Sequence, residues 1–305
     1  MHGTALRYFL AVAQTGSLSG ASGEIHVTIS AISRKISALE AEVGTPLFKR
    51  VPHGMVLTEA GQLLLAHARR TELESEAVLS QIAGLHGPSA NEIRVAASEG
   101  LAQAFLPEAM AEFRRRHEQT HFSLYVVPPS KAVRRIANGE VDVAVNFAVE
   151  HAQGTAVWHS WRSPVYAVMA ATHPLAERLS IELEDLLAYP LALTDGRSTA
   201  RLLLERSCSL NSIPVRMKIA LESNFTQALM RFVSASDVIT FAGRMSVLSR
   251  LERDRLVAKL VANTEFQSRN LQIQTLAERC LPPHVEAFID LLKTRIDEAE
   301  ALTGT

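Results

Sequence analysis

The sequence predicts an α/β protein with an all-α winged helix-turn-helix N-terminal domain, a long linker helix, and a body of two α/β lobes. Three observations predict it. Three short helical segments and a hairpin fill the first 58 residues, a proline-free stretch runs from Thr58 to about Leu85, and strand-like and helix-like segments alternate beyond Pro88. With 305 residues and 47% hydrophobic content the chain can bury two or three cores. The expected boundaries are 1–58 for the small domain, 59–87 for the linker helix and 90–305 for the body. Within the body, lobe I takes about 90–160 and 268–305, and lobe II about 161–267.

The first helix is expected over residues 4–15, with Leu6, Phe9, Leu10 and Ala13 periodic and Gly16 as its stop. Ser17 then caps a second helix that reaches about Ile25, and Thr28 caps the third. Wound at 100° per residue, Ile29, Ile32, Ile36, Leu39 and Val43 form one apolar stripe, expected to be buried. Opposite it stand Ser30, Ala31, Arg34, Ser37, Ala38 and Ala41, with Lys35 on one flank, so no acidic or bulky side chain blocks the start of that face. A flat surface could approach it closely.

PLFKRVPHGMVLT reads as a hairpin, Leu47 to Arg50 and Met55 to Thr58, around a turn holding Pro52, His53 and Gly54. In a winged helix-turn-helix the third helix enters a DNA major groove while the wing lies on the backbone. Charge supports that partner for the first part only. Up to residue 70, seven Lys and Arg oppose four Glu, an excess of +3 in a chain whose total is -1.

Thr58 caps the long helix and Gly84, Gly87 and Pro88 close it. Leu64, Thr71, Val78 and Leu85 recur every seven residues, with Ala68, Ser75 and Ile82 between them, a thin seam for a partner helix. Beyond it, EIRVAAS, FSLYVVP and VDVAVNF are strands separated by helices, which predicts a parallel sheet. VYAVMAA, PLALTD, VRMKIAL and VITFAG repeat that logic, with helices after Ser180, from Arg201 to Ser207 and from Thr226 to Ser234. Strand C-terminal loops near Ser98, Ser130, Thr194 and Asn224 would then surround a shared cleft.

Several classes are excluded by what the chain lacks. No run of 18 apolar residues occurs, so no transmembrane helix is expected. The opening imitates a signal peptide, but its apolar run Tyr8 to Ala13 is too short, and it reads as a folded amphipathic helix. Cys208 and Cys280 lie outside C-x-x-C spacing, signalling neither disulfide nor zinc; both read as buried thiols in a cytoplasmic chain. The eleven histidines have no metal spacing, and G-x-S-x-G, H-E-x-x-H and P-loop motifs are absent. No catalytic residue, metal or cofactor is therefore nominated. An α/β enzyme is disfavoured, and so is an exported solute-binding protein, which has no use for a winged helix.

LRYFLAVAQTGSLSGAS, HVTISAISRKISALEAEVGTPLF and VLTEAGQLLLAHAR together resemble the winged domain and linker helix of the LysR-type transcriptional regulators. IRVAASEG, AFLPEAMAEF, THPLA and SNFTQALMRFV resemble the family's two-lobed, periplasmic-binding-protein-like effector domain more loosely. The resemblance implies a cytoplasmic regulator of target genes that binds a double-stranded DNA operator as a homodimer or homotetramer. Its grip would change with a small-molecule effector in the cleft, and RNA polymerase is a candidate further partner. The chain departs from the family at Ile29, where Gln is common, and at Gly100, where many members carry Ser or Thr for an effector carboxylate. Ser236 and Asp237 replace usual glycines, which predicts an altered loop.

The DNA-binding candidates are Thr28, Ile29, Ser30, Ser33, Arg34 and Lys35 on the third helix and Lys49, Arg50 and His53 on the wing. Hydroxyls and Arg bond to bases or phosphates, and Ile29 could touch a thymine methyl. The effector-binding candidates are Ser98, Glu99 and Gly100, where free N–H groups open a helix, and Ser130, Thr194, Ser198, Thr199 and Asn224 by the family's layout. The carboxylate of Glu99 predicts repulsion of a simple dianion and preference for an amine or several hydroxyls.

Overall fold

The computed structural model describes residues 3–52, 54–84, 91–150, 154–196, 198–211 and 217–301. The chain divides into two compact units, one of residues 1–89 with 137–140 and 278–283, the other of the remainder.

The first unit opens with α1 (Thr4–Thr15), α2 (Leu18–Ile25) and α3 (Ile29–Val43), followed by β1 (Phe48–Val51), β2 (Gly54–Leu57) and α4 (Glu59–Gly84). Ser17 caps α2 by accepting from the Gly20 N–H at 2.9 Å, and Thr58 caps α4 by accepting from Gly61 at 3.0 Å. Thr28 stands at the N-cap of α3 in extended backbone, yet its hydroxyl bonds that of Ser30 instead of a helix N–H. Phe9, Val12, Ala21, Ile32, Ile36, Leu39, Leu47 and Phe48 form the core, and Leu64 and Leu65 pack against it, so the first turns of α4 belong to this core. The apolar stripe of α3 is shorter than its sequence suggests. Ile29 is 47% exposed and Val43 46%, since they are the first and last residues of the helix, outside the buried stretch from Ile32 to Leu39.

Glu40 explains how the wing is held. Its Oε1 accepts from the Leu47 N–H at 2.8 Å and the Phe48 N–H at 3.2 Å, tying the far end of α3 to the start of β1. Charge-assisted bonds of this kind contribute about 1.5–3 kcal/mol each. β1 and β2 pair antiparallel, Phe48 opposite Leu57. Gly54, with φ +137°, lets the wing touch the α1–α2 corner: the Met55 N–H donates to Gly16 O at 2.7 Å, and a Cβ on Gly54 would stand 2.3 Å from that oxygen.

The second unit begins with β3 (Asn91–Ala97), α5 (Glu99–Ala102), α6 (Phe105–Arg116), β4 (Thr120–Val126), α7 (Pro129–Ala137), β5 (Val143–Ala148) and β6 (Thr155–Arg162). It continues through β7 (Val165–Ala170), β8 (Ser180–Ile181), α8 (Leu183–Leu187), β9 (Leu191–Thr194), α9 (Thr199–Leu210), β10 (Ile219–Ser223), α10 (Thr226–Ser234), β11 (Thr240–Gly243) and α11 (Arg244–Leu251). β12 (Leu256–Val261), α12 (Thr264–Gln267), β13 (Asn270–Leu276) and α13 (Pro283–Ala301) complete it.

Lobe I carries a five-stranded sheet in the order β4-β3-β5-β13-β6. β3 pairs parallel with β4 and β5, as expected of these three strands, but β13 runs antiparallel to β5 and β6, so the sheet as a whole is mixed. The reason is topological: the chain leaves through β6 and returns through β13, and a strand returning from the other lobe enters in the opposite sense. Phe113, Phe122 and Phe288 cluster beneath this sheet, seating α6 and α13. Lobe II has a four-stranded sheet, β11-β7-β12-β8, also mixed, and the parallel pair β10-β9, joined to it by a bridge from Leu191 to Ile239.

Strands β6, β8, β12 and β13 and helices α11, α12 and α13 were not among the elements expected from periodicity. β13 shows why: all but its first residue are buried on both faces, including Gln272, Gln274 and Thr275, so polarity and burial do not alternate in step. Cys208 is buried, and burial pushes its thiol up, whereas Cys280, also expected inside, is exposed. Among the described residues no helix is long and apolar enough to cross a membrane, and no cluster of His, Cys, Asp and Glu could hold a metal ion.

Candidate functional site

The first unit offers one helix face. Burial of Ile32, Ile36 and Leu39 turns Ser30, Arg34 and Ser37 outward at spacings of four and three, with Lys35 exposed on the flank. Ser33 is half-buried, while Thr28 and Ile29 stand exposed at the helix start. Among the described residues neither Arg34 nor Lys35 has an ion-pair partner, so both charges remain available. Ile29 joins this surface because it is uncovered, and it adds an apolar side chain to it. Lys49 and Arg50 are exposed on β1 at adjacent registers opposite Val56 and Met55, so they project from opposite faces of the wing. His53 and the seam residue Leu85 lie outside the described residues.

On α4 the proposed seam divides. Leu64 is used within the unit's own core and Ala68 is buried, whereas Val78 and Ile82 are exposed, as are Leu63 and Leu79.

The second unit contains a cavity of about 620 Å³, within the range of small-molecule sites. Ser98, Glu99, Gly100, Thr194, Ser198, Thr199 and Asn224 all line it. Ser130 does not; it is exposed on the first turn of α7, and Pro128 and Pro129 take its place on the wall. The proline pair carries the chain past the rim before the serine is reached.

Ser98 and Ser198 play different parts. Ser198 caps α9 by accepting from the Arg201 N–H at 3.1 Å and also bonds the Thr194 hydroxyl. Ser98 precedes α5 without capping it, its hydroxyl donating weakly to Asn146 Oδ1 at 3.4 Å. Gly100 is required by packing: a Cβ there would meet Ser246 Oγ at 2.3 Å, so α5 of lobe I can approach α11 of lobe II only without a side chain.

Glu99 is already engaged. Its carboxylate accepts from the Thr226 N–H at 2.9 and 3.0 Å, from the Thr226 hydroxyl at 2.9 Å and from Gln103 Nε2 at 3.2 Å. Both of its oxygens are therefore satisfied within the chain, by the first turn of α10 and by Gln103.

Arg269 was not foreseen, and it lies at the junction of the lobes. Its Nε donates to Ser163 O at 2.9 Å and its Nη2 to Pro164 O at 3.2 Å, while the Ser163 N–H donates back to Arg269 O at 2.9 Å. The two connections between the lobes, β6 to β7 and α12 to β13, are thereby clamped together. The guanidinium lies 4.1 Å from the centroid of the Phe147 ring and lines the cavity. Arg269 is 2% exposed and, among the described residues, no carboxylate pairs with it; desolvation pushes its pKa down to about 9. Reading NLQIQTL as a buried strand would have placed Arg269 at its head and flagged it. Thr226, Gln103 and the aromatic walls Phe147, Phe225 and Phe241 likewise escaped the sequence, since, the adjacent Phe225 and Thr226 apart, they meet only through tertiary contacts.

Residues 4–62 match the family model described as the bacterial regulatory helix-turn-helix protein, lysR family, and residues 86–297 match the LysR substrate binding domain. A curated relative from Synechocystis, named a probable nitrogen assimilation transcriptional activator, is 27% identical over 94% of each chain. Among solved structures, a variant of full-length OxyR from Pseudomonas aeruginosa superposes with a TM-score of 0.75 at 20% identity, covering 97% of this chain and 95% of that one. Full-length CbnR in complex with its target DNA gives 0.60 at 20% identity, covering 97% and 100%.

Proposed function

The chain belongs to the LysR-type transcriptional regulators, and from that premise we propose which of its residues read DNA and which receive the effector. It is a DNA-binding regulator and not an enzyme. The start of α3 enters the major groove of a double-stranded operator: Arg34 and Ser30 meet base edges, Ile29 meets a thymine methyl, and Ser33, Lys35 and Thr28 meet backbone or adjacent bases. Lys49, Arg50 and His53 contact phosphates from the wing. The exposed apolar side of α4 joins two copies into a homodimer, or a homotetramer by further pairing, in the cytoplasm.

The effector occupies the 620 Å³ cavity in the second unit, held by Ser98, Ser198, Thr194, Thr199, Asn224 and the backbone near Gly100. The observation that carries this reading is Arg269, a buried cation on the cavity wall with no acid partner among the described residues. Burying an uncompensated charge is costly, and an anionic group on the effector would relieve that cost. Because Arg269 also clamps the connections between the lobes, an anion on it would act directly on their junction.

Two measurements test the proposal. DNA protection mapping of the regions upstream of neighbouring genes should give a protected tract with two half-sites. A thermal-shift screen of small metabolites should favour compounds bearing an acid group, and those stabilisers should alter the protection pattern. Binding of DNA with no protected tract, or stabilisation by neutral and cationic compounds alone, would overturn the respective half.

A further inference from the structure

α10 begins without a cap of its own. Its N-cap residue is Phe225, whose side chain can accept no hydrogen bond, and nothing in the preceding loop replaces it. The missing acceptor comes from the other lobe, 127 positions earlier: the Glu99 carboxylate spans the cavity wall and takes both the Thr226 N–H and the Thr226 hydroxyl. Gln103 Nε2 steadies the same carboxylate from one turn along, and Gly100 lets α5 approach α11 beside it. Three neighbouring residues of the 98–103 segment thus serve one contact between the lobes.

We propose that Glu99 is a tethered ligand: its carboxylate fills the acid-binding position at the first turn of α10, holding the two lobes clasped before any effector arrives and excluding an effector's acid group from that position. The exclusion rests on the reading of the cavity as the effector site; the clasp does not. The consequence for specificity is concrete. An effector's acid group is directed to Arg269, and a compound needing a second acid at α10 is refused by a like charge already seated there.

Chemical rescue decides the matter. In the full-length chain, Glu99→Ala vacates the position while leaving the α10 donors in place, and sodium acetate, compared with sodium chloride at equal ionic strength, supplies a free carboxylate of the right chemistry. Hydrogen exchange in the first turn of α10 should be roughly tenfold or more faster in Glu99→Ala than in the wild type. Acetate, and not chloride, should slow it again and raise the unfolding temperature of the variant while leaving the wild type unmoved. Glu99→Gln fills the space with a group that offers one acceptor, so exchange should quicken without acetate rescue, and this variant carries the test if Glu99→Ala does not fold. Unchanged α10 exchange in either variant would overturn the clasp. Equal responses of Glu99→Ala and wild type to acetate would overturn the exclusion. No effector enters these assays, so their failure is distinct from failure of the effector screen.

Discussion

In the first unit one helix both anchors and presents the proposed DNA-reading face: Ile32, Ile36 and Leu39 hold α3 down, and Ser30, Arg34 and Ser37 point away three or four positions along. In the second unit the groups around the cavity come from residue 98 to residue 269, and the contacts that organise it span 106 and 127 positions. The difference is one of contact range. A surface generated by helical periodicity can lose one residue and keep its shape, whereas a cavity assembled from distant segments depends on each contact that brings them together. Substitutions should accordingly act on DNA affinity residue by residue in the first unit and cooperatively in the second.

The largest effect is expected where the first unit's face must be doubled. Leu79 and Ile82 are exposed on α4. Replacing both by Asp should leave each unit folded but yield monomers on sedimentation, with DNA affinity lower by about 10²- to 10⁴-fold, since two linked readers gain from effective concentration. Dimers that persist would remove this side of α4 from the assembly.

Next in size is Gly54→Ala. The alanine would have to adopt φ +137° and place its Cβ 2.3 Å from Gly16 O, which should cost the first unit about 2–3 kcal/mol. Both tryptophans of the chain, Trp158 and Trp161, lie in the second unit, so their fluorescence reports its unfolding alone. Far-ultraviolet circular dichroism should therefore reveal an earlier loss of helix with an unmoved tryptophan transition. A shift in both signals would show that the units do not unfold independently.

The same contrast in range governs what could be read from the sequence. Ser17, Thr58, α1 to α4 and the wing were legible because caps, glycine stops and the 3.6 period act within a few residues. The exposure of Ile29 was not, since whether an apolar residue is covered depends on where its neighbours end. In the second unit, seven of the eight candidate pocket residues do reach the cavity: Ser98, Glu99 and Gly100 were legible from a helix opening after a strand, whereas Thr194, Ser198, Thr199 and Asn224 rest mainly on family layout. Glu99 was legible as an unusual charge and not as a clasp, because nothing near residue 99 announces that α10 starts on Phe225. Arg269 stayed hidden behind β13, whose glutamines are buried beside its leucines.

Arg34→Ala should act locally. Its side chain is exposed and without an ion-pair partner among the described residues, so stability should hold while operator affinity falls by about 1–3 kcal/mol. Titration of operator and scrambled duplexes separates the roles: loss on the operator alone assigns Arg34 to base reading, and equal loss on both assigns it to phosphate. Wild-type affinity would remove it from the interface.

The smallest effect is an acid response of the second unit. His173 is buried in lobe II, its Nδ1 accepting from the Leu175 N–H at 3.1 Å and its ring set edge-on to Tyr189. Burial lowers its pKa below the ordinary 6.5, with Asp237 opposing the shift. Over the window below 6.5 the unfolded chain thus binds a proton that the folded chain refuses, so stability is lost as pH falls through that range. Mild acid should then weaken the second unit through this residue. His173→Asn keeps an acceptor near the Leu175 N–H and removes the titration, so its tryptophan-reported stability should fall less than that of the wild type between about pH 7 and about pH 5. Parallel curves for the two proteins would mean that His173 takes up its proton in place, and that the second unit's acid response arises elsewhere.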